Sequence, residues 1–237
     1  MKKAALIAAL LFVANQSYAV VIDFEDIDIT DPLTWVQEQY AGYGLHVSAD
    51  NNNGSHPDEA TVYNTDGSGG RDDDLEFSGG WAGGNASDET FGKALIISEN
   101  YNTPDDEARG GSLYLDFDSE LEDFAFSVID IDDSETAGFI RFSNSGGDEL
   151  QYAFSDFSAG AGSDVSHNSA VFGNRTANRM DAIDLSGYGF TDVEFYFKNS
   201  GAIGDVAFTT VPEPSAFSMI GLGLFGLAGF ASRRKKK

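Results

Sequence analysis

Residues 20–210 repeat one local pattern: short stretches in which apolar and polar residues alternate with a period of two, separated by clusters of Gly, Asp, Asn and Ser. Successive side chains of a strand point to opposite faces, so this alternation marks half-buried β-strands and not helices, whose period is 3.6. Eleven stretches carry it: "VVIDFED" (20–26), "YGLHVSA" (43–49), "EATVYN" (59–64), "KALIIS" (93–98), "GSLYLDF" (111–117), "EDFAFSVIDI" (122–131), "AGFIRFS" (137–143), "ELQYAFS" (149–155), "MDAIDLS" (180–186), "DVEFYFKN" (192–199) and "AIGDVAFT" (202–209). They are rich in Val, Ile, Phe and Tyr, which favour a pleated, packed surface. One segment, "DPLTWVQEQY" (31–40), reads as a helix, with Asp31 as N-cap, Pro32 at the first helical position and Trp35 as a core anchor. No internal repeat of constant period is present. The expectation is an all-β domain over 20–210, a two-sheet β-sandwich of jelly-roll type.

Charge divides the chain. All 39 acidic residues lie between Asp23 and Glu213, where only 7 basic residues accompany them, a net charge of −32; the other 7 basic residues sit at the two ends. Such a surface repels nucleic acid and anionic lipid. It suits either plain solubility or the capture of hard cations such as Ca²⁺. There is no cysteine, which excludes disulfides, thiolate zinc sites and cysteine nucleophiles together.

The ends differ in kind from the middle. Lys2 and Lys3 precede an 11-residue apolar run (4–14), and "NQSYA" follows with small residues at Ser17 and Ala19. This is the pattern of a secretory signal peptide over 1–19, cut by signal peptidase between Ala19 and Val20. At the other end, 18 uncharged residues (215–232) would rise about 27 Å as a helix, close to the thickness of a bilayer's hydrocarbon core. The basic residues 233–237 after them should stay cytoplasmic. The expected topology is an exported domain, one span and a short inner tail.

The junction is "VPEPS". Val211, Pro212, Glu213 and Pro214 precede the apolar span directly, and the two prolines resist both helix and sheet. With the span and the basic end, residues 211–237 resemble the PEP-CTERM sorting signal of exported Gram-negative proteins, many of them from bacteria that make exopolysaccharide. The resemblance implies that the span is a temporary anchor in the inner membrane, and that an exosortase processes the chain at or near 211–214. The destination it implies is the cell surface or extracellular matrix. "KALIISEN", "PDDEARGGSLYLDF", "FAFSVIDIDDSE" and "AIDLSGYGFTDVEFYFKNSGAIGDVAF" are in turn similar to blocks common in the globular regions of such sorted proteins, which implies a lectin-like or carbohydrate-module-like sandwich.

In exported jelly rolls of the carbohydrate-module type, acids on the first and last strands share a structural Ca²⁺; the matching positions are Glu25 and Asp205, with two outward-facing residues as the alternative. A second acidic group is Asp130, Asp132, Asp133 and Glu135, with Asp105, Asp106 and Glu107 or Asp72, Asp73 and Asp74 as partner loops; solvated loops are the plainer reading. "ADNNNG" (49–54) imitates an EF-hand loop but would put Ala49 and Ala60 at the ligand positions that need acids. His46, His56 and His167 lack metal-ligand spacing, and neither H-E-x-x-H nor G-x-S-x-G occurs. Trp81, in the glycine-rich "SGGWAGGNAS", is the candidate to stack on a sugar ring; packing of its loop against the sandwich is the alternative. Three functions remain: a non-enzymatic, exopolysaccharide-associated surface protein, a carbohydrate-binding module that uses Ca²⁺, and a secreted polysaccharide hydrolase resting only on abundant carboxylates. The first is expected, with no enzyme activity.

Overall fold

A computed structural model of the chain describes residues 19–29, 34–67, 72–131, 138–158 and 169–211. The expected signal peptide and the sorting segment from Pro212 onward lie outside the described residues. Among the described residues no helix is long and apolar enough to cross a membrane.

All eleven alternating stretches form strands: β1 (Val20–Ile22), β2 (Leu45–Asn51), β3 (Ala60–Asn64), β4 (Lys93–Ile97), β5 (Gly111–Phe117), β6 (Leu121–Ile129), β7 (Phe139–Ser143), β8 (Glu149–Ala153), β9 (Ala177–Asp184), β10 (Asp192–Phe197) and β11 (Ala202–Thr210). They build two antiparallel sheets. The first has the order β3-β4-β11-β6-β9, with β1 also paired to β11; the second has the order β2-β5-β10-β7-β8. From β4 onward the chain crosses between sheets at every step except β7 to β8.

Alternation decides which side chains meet between the sheets. Phe124 and Phe126 of β6 pack edge-on or tilted against Phe142 of β7 and Phe195 of β10, with ring centroids 5.1–6.2 Å apart. Phe117 of β5 meets Phe208 of β11 at 4.8 Å. Edge-to-face pairs of this kind add roughly 0.5–1.5 kcal/mol each beyond the area they bury. A smaller apolar cluster lies on the other face of the first sheet, where Leu75, Trp81, Ala86 and Phe91 from the β3–β4 connection cover Ala94, Ile96, Ile129, Ala177 and Ala202. Two glycines permit that cover. A Cβ on Gly84, at φ +99°, would lie 1.9 Å from the Ala177 carbonyl oxygen, and one on Gly204 would lie 2.6 Å from the Phe91 ring.

Two local expectations change. The strand expected over 20–26 ends at Ile22, because Phe24 adopts φ +59° and turns its buried ring onto Tyr40 at 5.8 Å. Within 31–40, residues 34–36 are extended and 37–40 form bends and a turn, not a helix. Trp35 bridges Thr61, the Val36 N–H donates to the Ala60 carbonyl (2.8 Å), and the Gln37 carbonyl accepts from the Val47 N–H (2.9 Å). Free sheet edges at β2 and β3 offer this segment hydrogen bonds that outweigh its weak helical preference. Asp31 and Pro32 lie outside the described residues. Trp35 is half-buried at that edge beside Tyr101 (6.5 Å), not a core anchor.

Candidate functional site

Charge collects at the end of the sandwich where β4 leads to β5 and β6 ends. Asp72, Asp105 and Asp106 each offer a carboxylate oxygen, all within 4.8 Å of one another, and form the one such acidic or histidine group among the described residues. Asp72 is placed by its own turn: its side chain accepts from the Asp74 N–H at 2.9 Å, and its carbonyl accepts from the Tyr63 hydroxyl at 3.0 Å. Asp106 is buried where its backbone bridges Ser98; its Oδ2 accepts from the Ser200 hydroxyl and from the Gly201 N–H at 2.9 Å. The Ser200 oxygen also lies 3.0 Å from Asp130 Oδ2. Asp130 is buried at φ +55° and accepts from the Arg175 N–H at 2.6 Å.

The sequence pairing of 130 with 105–107 and 72–74 is thus brought together in part, and Asp106 and Asp130 are buried rather than solvated. Asp132, Asp133 and Glu135 lie outside the described residues, as does His167. Glu107 turns away, buried, onto His56.

Chemically the group can share a proton or hold a hard cation, since a 4.8 Å spread matches oxygens on opposite sides of an ion with bonds of about 2.3–2.6 Å. Burial, followed by contact with the Asp72 carboxylate, pushes the Asp106 carboxyl well above its usual range. The folded state therefore holds a proton on Asp106 more tightly than the unfolded chain does. This group favours folding most below about pH 4, and that contribution is lost as pH rises through the raised folded value. Asp106→Asn is expected to raise neutral-pH stability by about 0.5–2 kcal/mol in the presence of chelator, with the gain vanishing near pH 4. Thermal melts at both pH values check this; an equal loss at both would show that burying this charge has no cost.

The other expected metal ligands hold separate partners. Glu25 Oε1 accepts from the Lys93 N–H at 2.7 Å, while the Lys93 ammonium donates to the Glu25 and Ile27 carbonyls. Asp205 Oδ2 accepts from Arg179 at 2.7 Å, and Arg179 is shared with Glu89. A guanidinium supplies the countercharge that a metal would have brought. Asp205 Oδ1 and its register neighbour, the Ser127 hydroxyl, are buried with no hydrogen-bond partner among the described residues.

Trp81 also differs from its candidate role. It is only 6% exposed, its rings lie against Phe77 (5.7 Å) and Phe91 (6.3 Å), and its indole N–H donates to the Glu89 carbonyl (2.9 Å). No open ring face remains for a sugar. The loop-packing alternative holds.

Aromatic surface instead lies on the outer face of the second sheet. Register aligns Ser48, Tyr114, Glu194, Arg141 and Gln151 in one row, and Ser112, Tyr196, Phe139 and Ala153 in the next. Tyr114, Tyr196 and Phe139 are half-buried. Phe139 and Tyr196 stack at 5.1 Å, and the Arg141 guanidinium sits 5.4 Å above the Phe139 ring. Arg141 pairs with Glu194, which also accepts from the Ser112 hydroxyl at 2.6 Å. Period-2 alternation in "DVEFYFKN" and "GFIRFS" places Glu194 with Tyr196, and Phe139 with Arg141, on shared faces. That β7 and β10 are neighbours is not readable from either stretch.

At the opposite end from the acidic group the domain begins and stops. Ala19 is exposed, and Val20 opens β1 opposite Phe208. Strand β11 ends at Thr210, and the Val211 N–H donates to the Glu120 carbonyl at 2.7 Å. Pro212, Glu213 and Pro214 lie outside the described residues. Residues 210–235 match the family model of the PEP-CTERM protein-sorting motif. The chain thus carries that motif, which marks an exported protein directed to an exosortase at a membrane. No curated protein matches the chain.

Proposed function

We propose that the chain is a non-enzymatic surface or extracellular-matrix protein of a Gram-negative bacterium, held in the inner membrane by 215–232 until an exosortase processes it at 211–214, and associated with exopolysaccharide. Signal peptidase removes 1–19 on the way out. The observation that carries this reading is the sorting motif beginning at 210, where the last strand ends. A folded domain whose last strand ends as the motif begins keeps its core when the segment after Val211 is removed. Fractionation tests it: the domain is expected outside the membrane fraction in wild-type cells and retained there when the sorting enzyme is deleted. Retention in both would sink the reading.

The domain is best read as a jelly roll. The order β4-β11-β6-β9 facing β5-β10-β7-β8 supports this, since two interleaved Greek keys in a double sheet produce that arrangement.

A second reading, a carbohydrate-binding module, is favoured by the outer face of the second sheet. Half-buried Tyr114, Tyr196 and Phe139 offer apolar ring faces, and Gln151, Ser48 and Arg141 flank them with hydroxyl-binding groups. The strong negative charge favours a neutral polysaccharide. Polysaccharide pull-down by the 20–211 domain, lost in Tyr196→Ala, would support it; unchanged binding would remove this face from consideration. If calcium takes part, Asp72, Asp105 and Asp106 are better placed than Glu25 and Asp205 to hold it.

A further inference from the structure

Both termini of the domain leave from one end of the sandwich. Antiparallel pairing puts Val20 opposite Phe208, so the chain before β1 and the chain after β11 emerge side by side. The same end is built by the turns at 41–44, 118–120 and 185–190. The Asp118 N–H donates to the Gly44 carbonyl (2.9 Å), the Leu121 N–H to the Phe190 carbonyl (2.8 Å), and the Val211 N–H to the Glu120 carbonyl (2.7 Å).

Exposed apolar side chains gather here. Of the six large hydrophobic residues that are exposed among the described ones, Tyr43 (57%), Tyr188 (53%) and Val211 (39%) sit on this end. Tyr188 is held outward by stacking on Phe190 at 5.1 Å.

Chain length then limits where this end can be. Only Pro212, Glu213 and Pro214 separate Val211 from the apolar run that starts at Ser215. Even fully extended, that connection reaches about 14 Å, while the headgroup layer on each side of a bilayer is about 5–8 Å deep. Any insertion of 215–232 therefore holds Val211 no more than about 6–9 Å above the headgroup layer, near enough for the exit face to reach it. Tyrosines are the side chains that settle there, with an apolar ring toward the tails and a hydroxyl toward water.

We infer that the exit face bearing Tyr43, Tyr188 and Val211 is a lipid-contact surface that rests on a zwitterionic bilayer interface while the chain is anchored. This rests on the proposed reading of 215–232 as a membrane span. Exposed Asp118, Glu120 and Asp184 on the same end exclude attraction to anionic lipid. The contact depends on the tether and is lost once the tether is cut. The acidic group of Asp72, Asp105 and Asp106 is thereby presented away from the membrane.

The native chain has no cysteine, so single labels are clean. Full-length Ser186→Cys and Asn102→Cys variants would be spin-labelled and reconstituted in phosphatidylcholine vesicles. Collision rates with oxygen and with a water-soluble nickel chelate would then be compared. The 186 label, on the exit face, is expected to gain oxygen and lose nickel accessibility relative to the 102 label at the opposite end. That difference is expected to shrink when Tyr43→Ser and Tyr188→Ser are added. Equal accessibility at both sites in vesicle-retained protein would overturn the contact and leave the anchor intact. A difference that ignores the tyrosine substitutions would show tethering without contact, and also overturn it. Protein that is not retained by the vesicles would overturn the anchor reading, and the contact with it.

Discussion

A fragment ending at Val211 is expected to unfold in one cooperative transition, whereas a fragment ending at Gly201 is expected to show none. Strand β11 pairs with β1, β4 and β6 and sits in the middle of its sheet. It supplies Ile203, Val206 and Phe208 to the core, all buried. Each such burial contributes about 1.5–3 kcal/mol, and the whole domain's margin is expected to be about 5–15 kcal/mol. Removing three of them together with three hydrogen-bond ladders leaves no margin. A cooperative melt of residues 20–201 would show that β11 is dispensable. The functional consequence is a boundary: processing that leaves a stable product must spare β11, because a cut within it removes hydrogen bonds from a central strand.

Trp81→Ala is expected to lower stability by about 3–5 kcal/mol, although its loop looks peripheral in the sequence. The indole joins Phe77 and Phe91 in the cover over the first sheet and ties the loop to Glu89. Tyr196→Ala, on an open face, is expected to cost under about 1 kcal/mol, as surface changes do. The two variants separate packing from recognition. Below its melting temperature the Trp81 variant should bind polysaccharide as well as the wild type, if the domain binds any, while the Tyr196 variant should not. The opposite pattern in a pull-down and melting experiment would return the sugar contact to Trp81.

The strands were legible in the sequence because a half-buried strand imposes its own period on the residues it contains, and eleven stretches such as "GSLYLDF" and "EDFAFSVIDI" carry that period cleanly. Their pairing was not. Nothing inside "DVEFYFKN" says that β10 lies between β5 and β7, so the aromatic face made by Tyr114, Tyr196 and Phe139 had no signature along the chain. Segment 31–40 has an N-cap, a first-turn proline and acceptable spacing, yet 34–37 hydrogen-bonds to the edges of β2 and β3, an outcome set by distant residues. The acidic group was half-legible. Asp72, Asp105, Asp106 and Asp130 were all among the candidates, but which carboxylates become buried depends on Ser200 and Gly201, more than 90 residues from Asp106. Glu25 and Asp205 matched a family pattern by position, and the lysine and arginine that occupy their surroundings come from β4 and β9.

The most direct measurement is the intact mass of the protein recovered from the extracellular fraction of its native host. The full chain is 25.4 kDa. A polypeptide that begins at Val20 and ends between Val211 and Pro214, with any group added at its new C-terminus seen as extra mass, is the predicted result. An extracellular protein whose mass still includes residues 215–237 in wild-type cells would contradict the account.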